Sequence, residues 1–300
     1  MDILALVAAF GGGVIGAYMG ALPAFIMTGV FAIIGGIATA AGAPADIAVN
    51  YLAFGSFIGP HVAFAGGVAA AGYAGRKKSL KSGADILTPL YGTGQPDVLL
   101  VGGIFGVLGF VVHYLISISP LGPLTDLPGI TVFISGILAR LIFGKTGLMG
   151  KYEGKEKRAW ITGGKGFANN LVWGCGVGIA VSFVAAVLSK LDMWDSTLSG
   201  IYPIICFGFS AMTLVFAQTG FTMPSTHHVT LPSALAAVVG IAAFGPVGAL
   251  LGVLFAILGA LMGDFVGCTL NSYCDTHIDP PATTIFILTI IVNLLKNALV

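Results

Sequence analysis

Apolar residues run through the chain in long unbroken stretches, and the few polar residues collect between those stretches or at a handful of interior positions. Windows of about 20 residues, the length that crosses roughly 30 Å of hydrocarbon, predict about ten helical segments. They are Ile3 to Met19, Leu22 to Ala41, Ile47 to Ala74, Val98 to Ile118, Ile130 to Phe143, Phe167 to Leu188, Ile201 to Gln218, His227 to Ala243, Val247 to Val266 and Thr283 to Leu299. The stretches lack alternation of period two, which argues against a membrane barrel.

The pattern is written twice. Pro96 to Gly109 aligns with Pro246 to Gly259, and Asp126-Leu127-Pro128 aligns with Asp279-Pro280-Pro281. Pro60-His61-Val62 matches His227-His228-Val229, and Leu22-Pro23 matches Tyr202-Pro203. The expected organisation is therefore a first five-helix repeat over 1–145, a basic linker over 146–165 and a second five-helix repeat over 166–300. An odd number of spans per repeat makes the two copies enter from opposite faces, so the expected fold is an all-α polytopic membrane protein of inverted repeats with discontinuous helices.

Composition changes the picture in one respect: it fixes the solvent. With 57% hydrophobic and 8% charged residues, a soluble domain is excluded, because a protein in water needs a polar surface. The lipid bilayer is the first implied partner, and 45 glycines suit close helix contacts within it. Eleven of the 13 Lys and Arg fall in two regions, Arg76 to Lys81 and Arg140 to Lys165. The positive-inside rule makes that face cytoplasmic, predicting a multi-pass inner-membrane protein with both termini outside. Met1-Asp2 carries no positive charge, so the first segment reads as a span rather than a signal peptide. The four cysteines suggest no disulfide framework.

Candidate chemistry lies at two interruptions. Gly55 to Pro60 breaks segment three, and Gly220 to Thr226 occupies the matching place in the second half. Irregular backbone at membrane depth must be buried in protein or line a wet cavity, and paired interruptions point to a transporter's binding site. His61, His227 and His228 open the helices that follow, with Ser225 and Thr226 suited to capping one of them. Two helix N-termini meeting near the midplane would favour an anion. The substrate-binding candidates are thus His61, Ser56, Asn50, Ser225, Thr226, His227 and His228. The plainer alternative is that Gly220 to Thr226 is a surface loop.

Other polar residues have weaker claims. Asp264, inside segment nine, is the ion-coupling candidate, and His113 lies at a similar depth in segment four. Asp126 and Asp279 read as paired helix N-caps before prolines, and Thr131 and Thr284 as residues that bond back to their own helices. The run from Asp264 through Cys268, Cys274 and His277 to Asp279 collects metal-ligand types without an established spacing, so no metal and no cofactor is expected. No phosphate-binding loop or nucleophile constellation is visible, which argues against an enzyme and against any nucleic-acid partner.

The expected function is a secondary transporter for a small, anionic solute, with proton or sodium symport, working by alternating access. The alternatives are a passive channel, or a membrane subunit of a multisubunit transport or enzyme complex; homo-oligomers and other membrane subunits are the protein partners considered. The plan is similar to several inverted-repeat secondary transporter folds, and one histidine per half is similar to the paired histidines of ammonium channels. That resemblance covers architecture only.

Overall fold

The computed structural model describes residues 2–44, 46–191 and 194–300, and among them helices are joined by turns and irregular loops, with one isolated bridge between Gly83 and Thr276 as the β pairing. The helices are α1 (Ile3–Met19), α2 (Ala21–Ala40), α3 (Ala65–Arg76), α4 (Pro96–Ser117), α5 (Leu127–Phe143), α6 (Gly164–Leu188), α7 (Ser196–Met212), α8 (Val215–Gln218), α9 (His227–Phe244), α10 (Leu250–Val266) and α11 (Pro280–Leu299). Seven are long and apolar enough to cross a membrane, counting α7 with α8 and α10 with its flanking turns; α1 and α5, at 17 residues, are shorter.

Local chemistry sets the helix limits. Asp2, Asp126, Asp195 and Asp279 each accept a backbone N–H of the first turn that follows, at 3.1, 2.6, 2.8 and 2.7 Å. Such caps satisfy donors that a helix start leaves free. Prolines in the first turns of α4, α5 and α11 cost nothing there, since those N–H groups have no helical partner. Both capped helices α5 and α11 begin three residues before the hydropathy windows place them.

Segment three is not one span. It divides into a π-helical stretch at Asp46–Ala53, an irregular stretch at 54–59 and a helix that opens with a π turn at Pro60–Phe64 and continues as α3. Thr28, fully buried in α2, donates its hydroxyl to Ile58 O at 2.8 Å and so satisfies a carbonyl freed by the break. The second interruption also exists: α7 ends at Met212, α8 is a single turn, and 221–226 is irregular up to His227.

Packing depends on small residues. Ideal β-carbons at Gly13 and Gly29 would stand 2.2 Å from Gly102 O and 2.9 Å from Gly208 O, so the α1–α4 and α2–α7 backbones touch directly. Large apolar side chains point outward instead, among them Val172 and Phe183 on α6, Ile104 on α4 and Leu250 on α10. An apolar exterior on that scale matches lipid. In the first half α1 packs on α3 and α4, and in the second α6 packs on α9 and α10.

Helices α5 and α11 run antiparallel. Thr125 Oγ1 donates to Phe286 O at 3.3 Å, Gly129 faces the backbone of Ala282, and Arg140 reaches Thr276. Each therefore starts partway along the other, and α5 extends only about 25 Å from its start to the basic end.

At that basic end Arg76 Nη1 donates to Ile142 O at 2.7 Å, which places the ends of α3 and α5 side by side. Arg140 is 2% exposed; it donates to Thr276 Oγ1 at 2.9 Å, Thr276 O at 2.5 Å, Leu148 O at 2.7 Å and Leu270 O. The linker is tied down as well. Arg158 Nη2 donates to Cys268 O at 2.7 Å, and Lys151 N donates to Tyr273 O at 3.0 Å.

Candidate functional site

A cavity of about 620 Å³ lies among the helices of both halves. Four helix starts border it: Pro60, the Asp126 to Gly129 turn of α5, His227 of α9 and Asp279 of α11. The remaining wall is mostly apolar, with Phe25 from α2, Phe54 from the interrupted stretch, and Ile201, Ile204 and Phe207 from α7. Its polar groups are Asn50, His113, Thr125, Asp126, His227, Asp279 and Thr289.

The geometry follows from the local folding. Prolines at Pro60, Pro128 and Pro280 begin helices without wasting a donor, and the breaks before Pro60 and His227 let those helices start inside the protein rather than at its surface. Neither the Pro60 helix nor α9 has a side-chain cap, whereas α5 and α11 are closed by carboxylates. Uncapped starts keep free N–H groups and a partial positive charge of roughly half a unit.

The predicted residues distribute as follows. Asn50 and His227 line the cavity. His227 is 4% exposed, its ring centroid is 4.7 Å from Phe25 and 5.9 Å from Phe207, and its Nδ1 has no partner. His61 lies one layer back, stacked on His113 at 4.2 Å with an interplanar angle of 24°, and it is His113 that reaches the cavity. His228 is buried against Gly263, with Trp173 at 6.4 Å. Ser56, Ser225 and Thr226 are partly buried within the interruptions and do not line the cavity.

Two histidines thus occupy equivalent packing positions. A β-carbon at Gly109 would stand 1.7 Å from His61 O, and one at Gly259 would stand 2.7 Å from His228 O. Against His61 the next turn supplies the His113 ring, but against His228 it supplies Gly263, whose missing side chain leaves room for the His228 imidazole. Gly263, not the neighbouring Asp264, is therefore the residue that answers His113.

Asp264 stands apart from the cavity. Its two carboxylate oxygens accept Thr162 N at 2.7 Å and Thr162 Oγ1 at 2.6 Å, anchoring the linker to the end of α10. Asp275 holds Lys145 N and Thr146 Oγ1, at 2.7 and 2.8 Å, while His277 Nε2 is 3.0 Å from Asp279 Oδ1. The acidic and thiol run thus sends its side chains to separate partners, and among the described residues no three such groups converge. All four cysteines are free thiols. Thr284 bonds back to Pro280 O at 2.9 Å, whereas the Thr131 hydroxyl has no partner.

Sequence reasoning gave Asp126 and Asp279 only a capping role. They cap their helices, and they also face the cavity. The repeated Asp before proline was the visible signal; its placement depends on the α5–α11 crossing, which no local pattern reports.

The model of the family described as "Family of unknown function (DUF7973)" matches residues 1–159 and 167–300, so the chain belongs to that family. No curated protein and no solved structure matches it.

Proposed function

We propose that this member of the DUF7973 family is a multi-pass secondary transporter whose small solute binds in the central cavity, and that the two halves are inverted repeats. The observation that carries the reading is the meeting of four helix starts, two from each half, around one mostly apolar cavity. Broken helices that aim their N-termini at a midplane site are the usual means by which such carriers hold a solute.

Supporting the inversion are the self-pairings α2 with α7 and α5 with α11, which a twofold axis between the halves requires, and the matching His61–Gly109 and His228–Gly259 contacts. On this reading the basic loops are cytoplasmic and both termini lie outside. The solute carries an anionic group received by the uncapped starts at Pro60 and His227, with Asn50 and His113 completing the polar contacts. His61 and His228, with Ser56, Ser225 and Thr226, frame the site rather than touch the solute. Asp264, occupied by Thr162, serves as a linker anchor more readily than as the coupling group.

Counterflow in proteoliposomes tests the reading, using labelled monocarboxylates, dicarboxylates and inorganic phosphate. Saturable exchange of one of these, weakened at least tenfold by His227→Ala, is the expected outcome. Flux that rises linearly with concentration would instead indicate a channel, and no flux without a co-purified subunit would indicate part of a larger complex.

A further inference from the structure

Resting on the transport reading, we propose that Asp126 is the proton-coupling group: its carboxylate binds one proton, which the charge of an anionic solute in the cavity holds more tightly, and releases it on the other side. One monoanion and one proton then cross together without net charge.

The two cavity carboxylates have unequal surroundings. Asp279 accepts Ala282 N at 2.7 Å and has the His277 ring nitrogen at 3.0 Å as a second hydrogen-bond partner. Asp126 accepts only Gly129 N, at 2.6 Å, and no Lys or Arg lines the cavity among the described residues. The titratable groups that share its cavity, or stand directly behind the lining, are His113 from α4 with His61 stacked behind it, His227 from α9, and Asp279 with its partner His277 from the segment leading into α11. The α2 and α7 contributions, including Phe25, Ile201 and Phe207, are uncharged, and Asn50 contributes an amide.

Charge balance supplies the reason for a proton. Four helix starts, at roughly +0.5 each, offset about two carboxylate charges. A further anion therefore leaves the chamber with an excess negative charge in a medium that resists it. Protonating Asp126 removes that excess without breaking the Asp279–His277 pair. A second feature points to a ligand in the same volume: the His227 imidazole, over nine-tenths buried, lines the cavity with its Nδ1 unpartnered. Sodium is a poorer fit, because a metal cation needs several oxygen ligands and the nearest groups to Asp126 include the N–H of Gly129.

The test uses the full chain reconstituted in liposomes and reads protonation directly, by infrared difference spectra between acidic and alkaline buffers in choline and in sodium. Wild type and Asp279→Asn are expected to lose the carbonyl stretch of one protonated carboxylic acid on alkalinisation, equally in both salts. Asp126→Asn is expected to lack that band, and Asp126→Glu to keep it at a shifted frequency, which covers the case of a misfolded amide variant. A full-sized band in Asp126→Asn, an unshifted one in Asp126→Glu, no band in wild type, or displacement by sodium overturns the proposal. Because no solute is present, an intact Asp126 band with silent counterflow supports the proton site and counts against transport alone.

Discussion

Replacing Arg140 by lysine keeps the charge and removes the fork, and the structure fixes the consequence. The guanidinium makes four bonds to three chain segments: Leu148 in the linker, Leu270 at the end of the α10 extension, and both the hydroxyl and the carbonyl of Thr276. An ammonium is a point donor that cannot span those directions. If two bonds are lost, at about 1.5–3 kcal/mol each for a charged donor, the deficit is about 3–6 kcal/mol before relaxation, and about 3 kcal/mol is the expected net loss. Equilibrium unfolding by SDS in mixed micelles measures it, and limited proteolysis gives a local readout, since cleavage within the 144–165 linker should accelerate. Lys155→Ala, which removes a charge from an exposed linker position, is the control and should leave both readouts unchanged. Unfolding and proteolysis of Arg140→Lys indistinguishable from wild type would refute the reasoning, because the residue would then be acting through its charge alone.

Gly109→Ala should destabilise by about 1–3 kcal/mol, since its new methyl meets His61 O; Gly11→Ala, with nothing within 4 Å, should be neutral or slightly stabilising in the same unfolding assay. Asp195→Ala removes the cap on Leu198 N and should cost about 1 kcal/mol, with no such loss in Asp195→Asn. Burial pushes the Cys274 thiol above its ordinary range. Because the thiolate is the reactive form, maleimide labelling of a Cys274-only variant should still be rising at alkaline pH where a free thiol has levelled off. A labelling curve that plateaus with a model thiol would count against that burial.

How much of this was legible in advance depends on the range of the cause. Helix α1 lies where hydropathy puts it, and the breaks before Pro60 and His227 were readable because glycine and proline act on their own turns. The split of segment three was harder to place, since an apolar run looks alike whether it crosses once or folds back. Asn50 and His227 line the cavity, and His113 lines it in front of His61 through a ring stack between helices far apart in sequence. The aspartates are the clearest case. Their capping role is written within four residues, whereas their cavity role comes from the offset crossing of α5 and α11, set by contacts such as Thr125 with Phe286 across 161 positions.

The linker between the halves is sewn to the second half. Thr162 grips Asp264, Arg158 the carbonyls of Cys268 and Thr269, and Lys151 the carbonyl of Tyr273. With Arg140 stitching the same region to α5, the basic face is closed by a seam of polar bonds. If the halves rock as the transport proposal requires, the seam is the place where they stay joined and the cavity would open on the side farthest from it. Severing the linker backbone would then leave the halves together, while unpicking Arg158 and Thr162 would loosen the fulcrum.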